Sequence, residues 1–309
     1  MENKTIKTTM NKVMITGKLV KNGLEEKQTK KNVEAIMGSL IVRTSDGSEH
    51  EISLFTNKYK KDDTGNFTNE ESKLYTAYRT IIDEYRGMDE LSDGESPMVI
   101  SITNGEFTDN VFKSNEGKLI ESNKIRTTFV NRVDETKLDT TPQTATFQVS
   151  GIIKEIKDEM VSGVATGNKL IYLDMIGYQG TIIPIKLTIV KDMVDAFMGA
   201  GFYPMGTAKL NGVIVNTVEE VLEEQAFGEP VKVRKTVKRY EVKGGSPLGT
   251  LESIGIGQDI YEAGKSKRRL KLQEIENNNS ANQTGFTPDN NINSQTQPSN
   301  PFSNPFAQQ

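Results

Sequence analysis

The sequence has no cysteine, no tryptophan and one histidine, His50, in 309 residues. Without cysteine there is no disulfide, no thiol nucleophile, and no zinc-finger or iron–sulfur ligand set. A single imidazole excludes any site that needs two. No apolar run approaches the roughly 18 residues of a membrane-spanning helix, and the opening MENKTIKTTMNK lacks the apolar stretch of a secretory signal. AVILMFWYC make up only 35% of residues, so part of the chain is expected to lie outside any core. These absences lead us to expect a soluble, cytoplasmic protein with few means of catalysis, and no metal or cofactor.

The charge that is present is unevenly spread. The net charge is −4, yet residues 231–271 hold eleven Lys/Arg against four Asp/Glu, and residues 272–309 hold three acids and no base. The first 230 residues therefore carry about −8. A mildly acidic whole conceals a basic stretch, and the local figure is the one that bears on partners.

The length suits two domains and a tail. Residues 277–309 are rich in Asn, Gln, Ser and Pro with almost nothing aliphatic. Such a composition does not offset its ordering entropy, so disorder is expected there. The tail repeats Asn-Pro-Phe at Phe302 and Phe306. Those rings suit a short docking peptide; a plain solubilising tail is the alternative.

The body alternates with period two, the strand signal. The runs are 13–20, 34–43, 49–56, 98–103 and 124–133, then 145–156, 169–176, 181–189, 207–215 and 231–242. Two segments have helical spacing instead: 70–86, with Leu74, Ala77, Tyr78, Ile81, Ile82 and Tyr85 in one stripe, and 189–199. Each half thus reads strand, strand, strand, helix, strand, strand. The opening strands match as Val13-x-Ile15-x-Gly17-x-Leu19 and Phe147-x-Val149-x-Gly151-x-Ile153. The closing strands match as Lys124-Ile-Arg126-Thr-Thr128 and Lys232-Val-Arg234-Lys-Thr236.

Five strands with a helix between the third and fourth is the order of the OB-fold, a small Greek-key barrel. A glycine in the first strand fits, because that strand must bend to serve both sheets. The expected fold is mainly β: two tandem OB-fold barrels at 10–136 and 144–243, a basic and partly helical extension at 244–276, and a disordered tail at 277–309.

Asn11-Lys-Val13-Met-Ile15-Thr-Gly17-Lys-Leu19 resembles the first strand of bacterial and phage single-stranded-DNA-binding proteins, and the polar tail with Pro-Phe near its end is similar too. The resemblance implies sequence-tolerant binding of single-stranded DNA in replication or recombination, most like a phage-encoded tandem variety. The chain departs from that family in having two barrels, no tryptophan, and Ala307-Gln308-Gln309 in place of an acidic tip.

Binding an unpaired strand takes cations for phosphates and flat rings for bases. In the last strand, period two places Lys232, Arg234, Thr236, Lys238 and Tyr240 on one side, opposite Val231, Val233 and Val237. In the first repeat Lys124, Arg126, Thr128 and Arg132 share a face. A solvated edge face is the plainer explanation of both rails. Phe55 alternates with Glu51 and Ser53, so it lies on a polar face, and Arg43 and Lys186 are supporting candidates. Tyr59, Phe107, Phe112, Tyr172 and Tyr178 are weaker ones, while Phe129, Phe147 and Phe197 are assigned to cores. Lys265, Lys267, Arg268, Arg269 and Lys271 form a compact cluster, able to clamp phosphates or to pack back on the acidic repeats.

Catalytic motifs fail on spacing. Residues 162–169 have three residues between the glycines and Asn168 before Lys169, which breaks the phosphate-loop pattern and leaves a hairpin turn. The competing functions are a phage structural or assembly protein using its barrels for protein contacts, and single-stranded RNA binding. A homo-oligomer is compatible with either.

Overall fold

The computed structural model describes residues 6–29, 32–62, 64–114, 116–223, 227 and 231–277, with the side chains of 219–223 and 232–235 excepted. The first half contains β1 (Asn11–Asn22), β2 (Glu25–Gln28), β3 (Glu34–Arg43), β4 (Glu49–Asn57), β5 (Tyr59–Lys61), β6 (Phe67–Glu71), α1 (Lys73–Glu84), β7 (Val99–Lys113), β8 (Leu119–Arg126) and β9 (Asn131–Arg132). The second contains β10 (Ala145–Val161), β11 (Val164–Ile176), β12 (Ile182–Ile189), α2 (Lys191–Gly199), β13 (Thr207–Glu223), β14 (Val231–Gly249) and α3 (Gln258–Asn277).

Each half closes on itself in one order. β1 pairs antiparallel with β3 and β7, β3 with β4, β7 with β8, and β4 runs parallel to β8. The second half repeats this with β10, β11, β12, β13 and β14. These are two five-stranded OB-type barrels. β1 and β10 also pair with each other, from Asn11 opposite Val149 to Ile15 opposite Ala145, so the barrels form one sheet.

The first-strand glycines sit where each barrel bends. Lys18, next to Gly17, pairs with both β7 and β3, and Ile152, next to Gly151, pairs with both β13 and β11. A Cβ on Gly17 would lie 2.3 Å from the Arg43 carbonyl oxygen, and one on Gly151 would lie 2.3 Å from that of Asp174. The obstacles are backbone and have no freedom to swing aside. Gly17→Ala and Gly151→Ala are each expected to lower unfolding free energy by about 1–3 kcal/mol, the usual cost of overpacking. Urea denaturation checks this, and unchanged midpoints would show that the strands can shift.

Both helices form, α1 over a shorter span than 70–86 and with Tyr75, outside the expected stripe, buried while Ala77 is exposed. Ser72 caps α1 by accepting the Leu74 N–H at 3.3 Å, and Tyr75, Tyr78 and Ile81 are buried. In α2, Phe197 stacks on Phe202 with centroids 4.4 Å apart. One apolar cluster runs through both barrels. At its centre Phe107 of the first barrel meets Tyr240 and Phe147 of the second, at centroid separations of 4.9 and 6.2 Å. Asn11 fixes Phe107 by bonding both its N–H and its carbonyl, at 2.9 and 2.8 Å.

Several expectations change. The run 124–133 is not one strand: β8 stops at Arg126, and β9 pairs with the opposite end of β7. Thr127 Oγ1 donates to the Phe129 carbonyl at 3.1 Å and Tyr78 donates to that of Thr128 at 3.0 Å, which turns the chain outward. Arg132 therefore leaves the face of Lys124 and Arg126, and Phe129 is 62% exposed rather than core.

The closing-strand match is also displaced. Gly105 pairs with Val13 and Gly212 with Phe147, and the residues after these glycines face Arg126 and Glu241. Arg126 is thus equivalent to Glu241, not to Arg234. Finally, β14 continues through Gly249, past the end of the alternating run 231–242.

Candidate nucleic-acid interface

OB-type barrels present oligonucleotide-sized surface on the outer face of strands two and three and in the adjoining loops. In the second barrel these strands are β11 and β12. Alternation in β11 buries Ile171, Leu173 and Met175 in the barrel and leaves Leu170 and Tyr172 half-buried on the outer face, with Asp174 of that face covered by Tyr261. Across the ladder Tyr172 faces Lys186, with Glu155 of β10 on its other side. The Lys157 ammonium lies 4.6 Å from the Tyr172 ring centroid, an attraction between cation and π-face. It also bonds Glu155 at 3.1 Å, the main reason its ammonium is held above the ordinary lysine value.

This face forms one wall of a groove of about 840 Å³. Lys154, Tyr172, Pro184 and Lys186 line it from the second barrel, Asp109, Glu121 and Asn123 from the first, and Lys265, Arg268 and Arg269 from α3. Asn123 Nδ2 donates to the Pro184 carbonyl at 2.9 Å and ties the barrel walls together. Among the described residues Lys154, Lys186 and Arg269 make no ion pair, so their charge is available to a ligand. Of the first-barrel candidates, Arg43 pairs with Glu49 and Arg132 with Glu135 at 3.0 Å, whereas Lys124 and Arg126 make no ion pair among the described residues.

α3 is placed by packing. Tyr261 is buried and donates to Asp174 Oδ2 at 2.9 Å; burial, first, and then that carboxylate raise its phenol pKa. Gly264 lets the helix touch the second barrel, since a Cβ there would lie 2.4 Å from the Gly180 carbonyl oxygen. Further along, Arg268 reaches Asp109 and Glu121 on the first barrel, at 3.2 and 2.5 Å. Among the described residues no three His, Cys, Asp or Glu side chains gather to hold a metal ion.

A family model described as YorF matches residues 9–278. The chain belongs to the YorF family. No curated protein matches this YorF-family chain in sequence. Among solved structures, the wild-type single-stranded DNA binding protein from Thermus aquaticus is similar at 10% identity and a TM-score of 0.45, over 78% of this chain and 94% of that one. A deletion mutant of the same protein is similar at 11% identity and a TM-score of 0.43, over 78% and 95%. A replication protein A heterotrimer bound to single-stranded DNA is similar at 11% identity and a TM-score of 0.19, over 84% and 53%.

The sequence-derived candidates separate in this YorF-family fold. Lys186, Lys265, Arg268 and Arg269 come together in the groove, whereas Lys267 is exposed on α3 outside it. Lys124 and Arg126 are half-buried on the first barrel, with Arg126 opposite Ser53, and Phe55 is half-buried opposite Met37 on the same face. Arg43 is spent on Glu49. Lys238 is exposed at the foot of the β13–β14 hairpin, near His50. Burial, with Lys238 acting in the same direction, lowers His50 to about 4 and keeps it neutral. The side chains of Lys232 and Arg234 lie outside the described residues, as do Phe302 and Phe306.

Tyr240 is the clear correction. It is only 8% exposed, packed on Phe107, and its phenol is pushed up to about 12 by burial. The alternation itself holds, but β14 passes from a projecting hairpin into the barrel between Lys238 and Tyr240. On that face Thr236 and Lys238 are consequently exposed, and Tyr240 and Val242 are buried. Tyr172 and Lys154 line the groove and Lys157 lies over the Tyr172 ring, outside both rails; the sequence signal for Tyr172 was its alternation with the buried Ile171 and Leu173.

Proposed function

We propose that the protein binds single-stranded DNA without reading its sequence, in DNA replication or recombination of a phage type. The observation that carries this is Tyr172: an aromatic face on the outer wall of an OB-type barrel, with Lys157 over the ring and Lys186 beside it, lining the groove. A ring among cations offers every base a stacking surface and every phosphate a partner, and neither depends on base identity. Duplex DNA, whose bases are already stacked, gains nothing from the ring. The tail beyond 277 would recruit replication or recombination proteins through Phe302 and Phe306, from a cytoplasmic location. No helix among the described residues is long and apolar enough to cross a membrane.

The test is fluorescence anisotropy of a labelled dT oligonucleotide over a salt series, with duplex as competitor. Each phosphate neutralised on a single strand contributes about −0.7 to the log–log salt slope. With Lys154, Lys186, Lys265 and Arg269 facing the groove, a slope of about −2 to −3 is expected, with no displacement by duplex. Absence of binding at low salt would overturn the reading. It would favour a structural protein whose acidic first barrel meets protein partners. Equal affinity for an RNA strand would widen the ligand to single strands of either sugar.

A further inference from the structure

The groove is built with an internal competitor. Arg268, with its side chain 15% exposed, is held by Asp109 and Glu121, and Lys271 lies 3.7 Å from Asp109. Both acids belong to the β7–β8 hairpin of the first barrel, where Asp109 faces Asn123 and Glu121 faces Val111. Both carboxylates converge on Nη2 of Arg268, and its buried Nε has no hydrogen-bond partner, so the guanidinium keeps an unused donor for the two-point contact that a phosphodiester offers. The two halves of α3 are held differently. Its first half is anchored to the second barrel by Tyr261 and Gly264, and its second half meets the first barrel through these ion pairs and through Lys113, which donates to the Glu276 carbonyl at 3.1 Å.

We propose that Asp109 and Glu121 are a built-in phosphate substitute that holds Arg268 and Lys271 in reserve. Backbone phosphates entering the groove displace the two carboxylates. The second half of α3 then closes on the strand and adds cationic contacts that are tied to carboxylates in the free protein. The device lowers affinity for short or stray polyanions, because each must first compete with two tethered acids. It rests on the single-stranded-DNA reading.

The test compares the full-length protein with Asp109→Asn/Glu121→Gln in the dT titration, together with hydrogen exchange over 266–277. The double variant is expected to bind about tenfold more tightly than the parent, and Arg268→Gln several-fold more weakly. In the parent, the oligonucleotide should change exchange in the second half of α3 and not around Tyr261. If the acids only brace the barrels, the double variant will bind no better than the parent and the inference fails. Glu121→Gln alone, at a more exposed position, is expected to gain about threefold and keeps the test open should the double variant fold poorly. A parent protein that binds no oligonucleotide would overturn the function itself. A binding parent with an unimproved variant would overturn only the internal competitor.

Discussion

Tyr172→Ala is expected to weaken binding of a labelled dT oligonucleotide by about 5- to 150-fold while leaving the unfolding midpoint nearly unchanged. The size follows from the about 1–3 kcal/mol that one stacked base contributes on an aromatic side chain. Preserved stability follows from position. Tyr172 points out of the barrel beside Lys186, while the buried neighbours Ile171 and Leu173 hold β11 in the core. Tyr172→Phe keeps the π-face and should bind within about twofold of the parent, because stacking uses the ring and not the hydroxyl. Lys186→Ala should cost less affinity and flatten the salt slope by about 0.7, the share of one phosphate. The two variants thus separate stacking from charge: one changes affinity at every salt concentration, the other mainly at low salt. Anisotropy at two salt concentrations, with a thermal melt of each variant, decides it. An unchanged affinity for Tyr172→Ala would remove the groove from the binding site.

Barrel topology was readable from the chain because an OB-type barrel repeats its constraints. The alternating strands, the helix after the third, and the glycine at each first-strand bend all recur at the expected places, Gly17 and Gly151 most directly. The candidate site was less legible. Period two says which residues share a face but not what the face meets, and that differs along one long strand. β14 has its early residues on a hairpin and Tyr240 inside the barrel. Strand ends are similarly hidden: Phe129 fits an alternating pattern that the hydrogen bonds of Thr127 interrupt. The groove itself depends on three elements distant in sequence, so no local window contains it. Lys186 and the α3 cluster were visible separately, and only the packing of Tyr261 and Gly264 brings them together.

Tyr240→Ala is expected to destabilise the protein by about 3–5 kcal/mol, the range for removing a large buried ring and leaving a cavity. That is a sizeable part of the about 5–15 kcal/mol that separates most folded proteins from their unfolded chains. The ring lies 4.9 Å from Phe107 and 6.3 Å from Phe147, so its loss opens the core where the two barrels meet. Because β1 also pairs with β10 across this junction, the damage should not stay in one barrel. Urea denaturation should show one transition at a much lower midpoint, not two transitions of which one is unchanged. Tyr240→Phe retains the ring contacts and should recover most of the loss. Lys238→Ala, two residues earlier on the same face but exposed, should leave the midpoint within experimental scatter. The alternative role for Tyr240, a stacking surface at the end of a cationic rail, makes the opposite forecast: affinity for dT falls and stability does not. A stable, weak-binding Tyr240→Ala would therefore return the ring to the surface. An unstable variant whose folded fraction binds normally would fix Tyr240 as the residue that joins the two barrels into one cooperative unit.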